Sequence, residues 1–598
     1  MVKILKQESA LVLDSKGALP LCLVQCYTGY EVVGTRSALG PPQAPRSPNE
    51  AEKRGAASIL DRTQPSALNV LSFHPGISEC TSKLDELAKD RAIVALAGVS
   101  SKMTNDCLIA QWGQALTQCK LSLSSEDVLN GVVAGKELTV FLGGESGNVT
   151  WAVLNCHDYT DASILSQLLE YEIEVLVVVA YNPASRLFWE YAISDMHRHF
   201  CFVVVANVGE LGGSGVFAPF RRVGRERNAQ LSAGGKLFGV NGPSEVGVGL
   251  ALDIAELRAL RREFHNEGFA AATAQSKRDI AYAPMVPSEH FLETFDRSAG
   301  PPPVSQNDVR DVPNEWKNAR PRIALAQLDH SNTYVETKYR IRNHQTNAEF
   351  EHMLTSRLLE LEARVNLTRT DSPLLDMLVF PEVFVPRSFV PDLQRFSDRL
   401  GTTVIAGVDY PGTDESENAN ECLILRPHVE PVAYRKITRS QYDALFDENG
   451  GLMPLQRGQH LLRFADPDGF NFGVLICYDY SHFDLVHLLN TAKGRDPLDV
   501  LIIVAHNPFS SLYRSCCIAD CHRFYQYVVM CNVAAFGGSG VFGPVRTAGA
   551  RQCLSEIGKG SEAITITELD LAGLRAARRT PNEELHLGRF MRKPGLYS

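Results

Sequence analysis

No run in this sequence is apolar for long enough to cross a membrane as a helix or to form the core of a secretory leader. The longest apolar runs, such as Val500–Ala505, are strand-sized, and the opening Met1-Val-Lys-Ile-Leu-Lys-Gln-Glu8 breaks into charge almost at once. No membrane association or export is therefore expected, and the expected location is cytoplasmic. Positive charge is also short. The 59 Lys and Arg against 69 Asp and Glu leave a formal net charge of −10, which argues against a nucleic-acid surface or acidic polymer substrates. Ordinary core material is plentiful, with 44% hydrophobic and 21% charged residues. The 14 cysteines are therefore not needed as staples, and free thiols in a reducing compartment are expected. At 598 residues the chain exceeds one ordinary core, so two large domains are expected.

An internal repeat fixes the organisation. Val153-Leu-Asn-Cys156-His-Asp-Tyr159 recurs as Val474-Leu-Ile-Cys477-Tyr-Asp-Tyr480, and Val175 to Pro183 recurs as Val500 to Pro508. From Asn182 and Asn507 onward a constant offset of 325 maps Asp195 to Asp520, His197-Arg198 to His522-Arg523, Asn207 to Asn532 and Gly212-Gly-Ser-Gly to Gly537-Gly-Ser-Gly. Upstream, Asn105-Asp-Cys-Leu-Ile matches Asn420-Glu-Cys-Leu-Ile, and Leu21 to Gln25 matches Ile323 to Gln327. The expected domains are residues 1–283 and 321–598, joined by a Pro-rich, polar linker over 284–320. A second Pro-rich and charged stretch, Gly34 to Ala57, reads as a long loop. Within each copy, short β-branched runs alternate with amphipathic stretches, for example Phe472–Ile476 then Phe483–Thr491, and Val500–Val504 then Leu512–Gln526. This is an α/β pattern, and the unbroken apolar strands call for a covering layer on both faces.

Three reactive side chains of the second copy each close an apolar run: Glu382 after Met377-Leu-Val-Phe-Pro, Lys436 after Val432-Ala-Tyr-Arg, and Cys477 after Gly473-Val-Leu-Ile. Strands ending on one sheet edge bring such positions into one pocket. The trio is chemically coherent, because a carboxylate can take a thiol proton and a cation can stabilise both thiolate and oxyanion.

These residues resemble the nitrilase, or carbon–nitrogen hydrolase, superfamily, whose triad is Glu, Lys and Cys. Phe380-Pro-Glu382 looks like the base motif, Tyr434-Arg-Lys436 like the lysine motif and Ile476-Cys-Tyr-Asp479 like the nucleophile elbow. The stretch Ala519 to Asn532 with Gly537-Gly-Ser-Gly and Pro544 extends the likeness, which covers Arg320 to about Leu571. The resemblance implies tandem αββα four-layer sandwiches and adds the Tyr478 backbone N–H to the oxyanion site. It also implies a second glutamate after the lysine, for which Glu448 is the candidate, with Asp443 and Asp447 in the same loop. Sandwiches of this family commonly pair face to face, so the copies are expected to form an intrachain pseudo-dimer, with a homo-oligomer as a further arrangement.

In the first copy Cys156 aligns with Cys477 and Lys120 with Lys436, but Pro75 stands where Glu382 should be. His74 and Glu79 are nearby substitutes, both offset from the strand end. A degenerate, catalytically silent first copy is the expectation. Cys516, Cys517, Cys521 and His522 invite a zinc reading, but their repeat counterparts are Tyr191, Ala192, Met196 and His197, so core thiols are expected and no metal. The Gly-Gly-Ser-Gly turns lack the basic residue of a phosphate cradle and are expected as tight turns at the pocket rim, where His506 is a candidate substrate contact. Phe384, Phe389, Tyr478, Tyr480 and Phe483 hint at an apolar or planar contact for substrate.

The expected activity is hydrolysis of a small-molecule amide, carbamoyl or nitrile group through a Cys477 thioester, with no cofactor required. Two alternatives are a binding, sensor or assembly module of the same fold within a larger complex, and an N-acyltransferase that passes the same thioester to an amine.

Overall fold

The computed structural model describes the chain apart from residues 1, 7–10, 12, 29–47, 112, 144–147, 220–234, 260, 262–303, 315, 330–347, 368–374, 411–418, 439–444, 447–451, 454–455, 467–468, 547–551, 583 and 598. It divides into two compact units, residues 1–286 with 593–598 and residues 287–592. Each is mixed α/β and contains one seven-stranded and one six-stranded sheet.

In the first unit the seven-stranded sheet runs Val2–Lys6, Leu138–Leu142, Trp151–Asn155, Val175–Val179, Phe202–Ala206, Gly215–Phe217, Lys236–Gly239. The six-stranded sheet runs Val246–Asp253, Ala18–Gln25, Leu68–Leu71, Ala92–Val99, Asn105–Gln111, Gln114–Cys119. One apolar cluster joins the two, with Leu21, Val70 and Val94 of one sheet and Val153, Val177 and Val204 of the other fully or almost fully buried. A separate cluster sets Ala56, Ile59, Leu60 and Leu84 of two helices, Glu50–Leu60 and Thr81–Leu87, on the outer face of the six-stranded sheet. Strands covered on both faces explain the runs without polar alternation.

The second unit repeats the strand orders. Its larger sheet runs Val309–Pro313, Leu461–Ala465, Phe472–Ile476, Val500–Val504, Tyr527–Cys531, Gly540–Phe542, Cys553–Glu556. Its smaller sheet runs Val429–Arg435, Glu421–Arg426, Thr403–Val408, Met377–Val379, Arg322–Gln327, Ala563–Glu568. The three strands at the centre of the larger sheet are parallel, and helices Phe483–Thr491 and Ser510–Arg523 make the crossovers such pairing requires. Helices Ala348–Leu367 and Val390–Leu400 cover the smaller sheet through Leu354, Leu358, Leu361, Leu393 and Phe396. Each such side chain stabilises the fold by roughly 1.5–3 kcal/mol relative to exposure. Between the sheets, the Cys531 thiol donates to Val379 O at 3.2 Å.

Two expectations need correction. Residues 304–320 are not plain linker, because Gln306–Asp308 forms a turn and Val309–Pro313 pairs in parallel with Leu461–Ala465. The expected loop Gly34 to Ala57 overlaps a helix from Glu50, started by an Asn49–Glu52 capping box. The rest of both stretches, 284–303 and 34–47, lies outside the described residues. No described helix is long and apolar enough to cross a membrane.

Candidate active site

Glu382 follows strand Met377–Val379 and is 4% exposed. Its backbone passes close to Gly407, where a Cβ would sit 2.2 Å from Pro381 O and 2.5 Å from Glu382 Cα, so only glycine fits. Val383, next in the chain, has φ 49°, a strained value for a β-branched residue. Lys436 follows strand Val429–Arg435 and is 5% exposed. Its backbone is fixed on both sides, donating to Asn420 O at 2.9 Å and accepting from Gly458 N–H at 2.8 Å.

The two side chains meet. Lys436 Nζ donates to Glu382 Oε1 at 2.8 Å, and Asn420 Nδ2 donates to the same oxygen at 2.8 Å. The His506 backbone N–H donates to Oε2 at 2.9 Å. Asn420 and the His506 N–H were not anticipated in these roles. Asn420 shows only as a shared letter of the repeat, and a backbone donor leaves no residue-type signal. The His506 ring, expected as a substrate contact, lies beside Phe536 at 5.3 Å.

Cys477 opens a turn, Cys477–Ser481, directly after strand Phe472–Ile476. Its φ of 42° is the left-handed value of a sharp elbow. Tyr513 Oη donates to the Cys477 carbonyl at 3.0 Å and lies 2.5 Å from Ser481 Oγ. Asp479 ties the elbow to the residues after Lys436. It accepts from Thr438 N–H at 2.7 Å, Thr438 Oγ1 at 2.7 Å, Ile437 N–H at 3.1 Å and Tyr434 Oη at 2.8 Å. Burial pushes the Asp479 carboxyl up to about 6, with Lys436, Thr438 and Tyr434 acting the other way. Tyr478 lies on the same turn, its ring edge-on to His482 at 5.0 Å.

Around this centre, Asn532 binds the Asn507 backbone at both ends, Oδ1 accepting from its N–H at 2.9 Å and Nδ2 donating to its carbonyl at 2.9 Å. Nδ2 also donates to Gly537 O at 2.8 Å. The Gly-Gly-Ser-Gly turn is thus held by Asn532, with Gly537 and Gly538 at φ 67° and 83°. Asn207 holds Asn182 and Gly212 in the same way in the first unit, at 3.0, 2.8 and 2.6 Å.

Other expected participants fall elsewhere. Phe384 and Phe389 belong to the core under helix Ala348–Leu367, Phe483 packs on Phe524 at 5.9 Å, and Tyr480 packs on Tyr513 at 5.8 Å. These aromatics do structural work instead of offering a free planar contact. Cys516, Cys517 and Cys521 are buried core thiols. His522 Nε2 lies 3.0 Å from Arg592 O, and burial pushes its pKa down to about 4. Among the described residues no cluster suits a metal ion. Glu448, with Asp443 and Asp447, lies outside the described residues.

The first unit sets Lys120 and Cys156 at the ends of strands in the same sheet positions as Lys436 and Cys477. Pro75, expected opposite Glu382, is out of step with it: Leu68 pairs with Leu21 as Met377 pairs with Ile323, which sets Phe73 level with Glu382 and Pro75 two residues beyond. His74 packs toward Gly55 of helix Glu50–Leu60, and Glu79 is exposed. Lys120 nevertheless has a carboxylate partner: its Nζ donates to Asp127 Oδ2 at 2.5 Å, and Asn105 Nδ2 donates to Asp127 Oδ1 at 2.9 Å. Asp127 comes from a short helix, Ser125–Leu129, and also accepts from the Ser124 N–H at 2.9 Å and Oγ at 2.7 Å. It escaped sequence reading because an acid after the lysine was sought only in the second copy. Cys156 opens the turn Cys156–Thr160 with φ 46°, and Asp158 accepts from Leu121 N–H at 2.8 Å and Ser122 N–H at 2.6 Å.

A scan against protein-family models gives no match, and a search of curated proteins gives none either. Solved structures do match. A CN-hydrolase superfamily protein from Xanthomonas campestris is similar at 17% identity over 43% of this chain and 94% of that one, with a TM-score of 0.32. A branch 10 member of the nitrilase superfamily from Saccharomyces cerevisiae is similar at 16% identity over 46% and 98% of the two chains, with a TM-score of 0.34. An amidase from Nesterenkonia sp. is similar at 16% identity over 44% and 95%, with a TM-score of 0.30.

Proposed function

We propose that the second unit is a thiol hydrolase of small-molecule carbon–nitrogen bonds, in an amide, carbamoyl or nitrile group. The observation that carries the reading is the Glu382–Lys436 pair, 2.8 Å apart with both side chains almost wholly buried. Burying two charges costs several kcal/mol per ion, and an apolar pair of the same volume is often as stable or more so. Such a pair at two strand ends, with Asn420 and a backbone N–H completing it, is better explained by chemistry than by stability.

In the cycle, Glu382 takes the thiol proton as Cys477 Sγ attacks the carbonyl or nitrile carbon. Lys436 and the Tyr478 backbone N–H receive the charge that develops on the substrate oxygen or nitrogen. For an amide, the proton passes from Glu382 to the leaving nitrogen, and ammonia or an amine departs; for a nitrile, attack gives a thioimidate, which a first water converts to the thioester with release of ammonia. Water activated by Glu382 then cleaves the thioester, releasing the acid and restoring the thiol. The matching strand orders of the two units support their origin as two copies of one domain.

Intact-mass labelling with a small thiol-directed electrophile at near-neutral pH tests the assignment. One fast adduct is expected in the wild type, mapping to Cys477 and absent from Cys477→Ala. Labelling of Cys477 at the rate of an unactivated thiol in folded protein would refute the hydrolase reading.

A further inference from the structure

The first unit retains more than its missing glutamate implies. Asn105 and Lys120 occupy the sequence and strand positions of Asn420 and Lys436, with the same backbone bond between them: Lys120 N–H to Asn105 O at 2.8 Å, against Lys436 N–H to Asn420 O at 2.9 Å. In the second unit both side chains donate to Glu382, and in the first both donate to Asp127. The carboxylate is supplied from the other side of the lysine, yet it meets the same two donors. The nucleophile elbow is also kept, strained φ included, and Asn155 Nδ2 donates to Asn105 O at 3.1 Å, tying it to the same strand. If Asp127 only neutralised a leftover lysine, an apolar residue at position 120 would remove the need for either charge.

We infer that Cys156 is a second nucleophile, served by Lys120 and Asp127, that accepts acyl groups from donors with good leaving groups, such as aryl esters or thioesters.

The leaving-group restriction follows from how the acid is held. Burial works against the Asp127 carboxylate, but Lys120, Asn105 and Ser124 outweigh it and keep its pKa below the usual value. Burial likewise works against the Lys120 ammonium, and Cys156 and Asp127 outweigh it, so the lysine stays charged. A carboxylate with four donors carries a proton only in passing and is poorly suited to deliver one to an amine. A phenolate or thiolate needs no such delivery. Burial raises the Cys156 thiol above its usual range, and Asp127 and Asp158 add to this, while Lys120 and the Tyr181 backbone favour its anion. Tyr181 is the counterpart of His506, whose N–H serves Glu382 in the second unit. In the reaction Cys156 Sγ bonds to the acyl carbon, the bond from that carbon to the leaving oxygen or sulfur breaks, and the thiol proton passes through Asp127 to solvent. No electrons are transferred.

The test uses the full-length chain carrying Cys477→Ala, so its result is independent of whether Cys477 is a hydrolase nucleophile. The protein is mixed with 4-nitrophenyl acetate, and acylated cysteines are located by peptide mass mapping. Cys80 and Cys119, also only partly exposed, serve as internal references. Cys156 is expected to acylate at least ~10²-fold faster than either, the lower end of what a positioned base contributes. Asp127→Asn should bring it down to their rate, and Asp127→Glu should keep it within about tenfold of the parent. Circular dichroism melting reports whether each variant is folded. Should Asp127→Asn not fold, the comparison of Cys156 with Cys80 and Cys119 in the parent decides. Equal rates there, or an unchanged Cys156 rate in folded Asp127→Asn, overturn the inference.

Discussion

Asp479 lies beneath the Cys477 elbow and holds it to Ile437 and Thr438, so its ionisation sets a lower pH limit on the site. As pH falls through about 6 the carboxyl gains a proton and gives up acceptor capacity for those N–H groups. Turnover should therefore show an acid limb with a midpoint near 6. Stability should move oppositely on account of this residue. Its folded pKa lies above the unfolded value of about 3.9, so the folded state binds the proton more tightly and gains stability between about pH 6 and pH 4. A pH–rate profile run beside denaturant unfolding, each compared with Asp479→Asn, checks both signs. Loss of rate and of this residue's stability together would contradict the assignment. Glu382→Gln is expected to lower kcat/KM by roughly 10²–10⁴-fold and, by leaving Lys436 buried without its counter-charge, to cost about 3–5 kcal/mol of stability. The double change Glu382→Gln with Lys436→Met should be more stable than the single one while remaining inactive, as thermal melts would record.

The elements that carry these residues explain which of them could be read in advance. Strands Phe472–Ile476 and Val500–Val504 coincide with unbroken apolar runs because sheets and helices cover both of their faces. Glu382 and Cys477 drew notice because each closes such a run, whereas Lys436 follows Val429–Arg435, an edge strand that is largely exposed. Strand Val309–Pro313 was not: it is an edge strand of Val-Arg-Asp-Val-Pro with outward charges, and its composition is that of a linker. Helix Glu50–Leu60 was hidden because charge fills its first turns and its buried residues are only Ala56, Ile59 and Leu60. Asp127 was missed because an acid after the lysine was sought only in the second copy; its pairing with Lys120 is set by where the short helix Ser125–Leu129 turns back. Gly407 marks how tightly the elements are set. Gly407→Ala places a Cβ 2.2 Å from Pro381 O, so the strand end bearing Glu382 must shift. A displacement of about 1 Å there should cost roughly 10²-fold in turnover, with an overpacking penalty of about 1–3 kcal/mol in unfolding experiments.

At the scale of the whole molecule, the first unit is not continuous in sequence, because residues 593–598 belong to it. Gly595 N–H donates to Thr160 Oγ1 at 2.9 Å, on the turn opened by Cys156, and Pro594 is buried. Truncation after Arg592 should therefore speed amide hydrogen exchange in Cys156–Thr160 and in the following helix Ala162–Leu169, with strand Val500–Val504 of the second unit unaffected. Equal protection of Cys156–Thr160 in the truncated and intact chains would show that the closing segment contributes nothing.

The same arrangement imposes an order in time. A ribosome making this chain completes the second unit at Arg592 and only then supplies the residues that finish the first. The half that is translated earliest is thus the last to be whole. Until then its Cys156 turn lacks one of its hydrogen-bond partners.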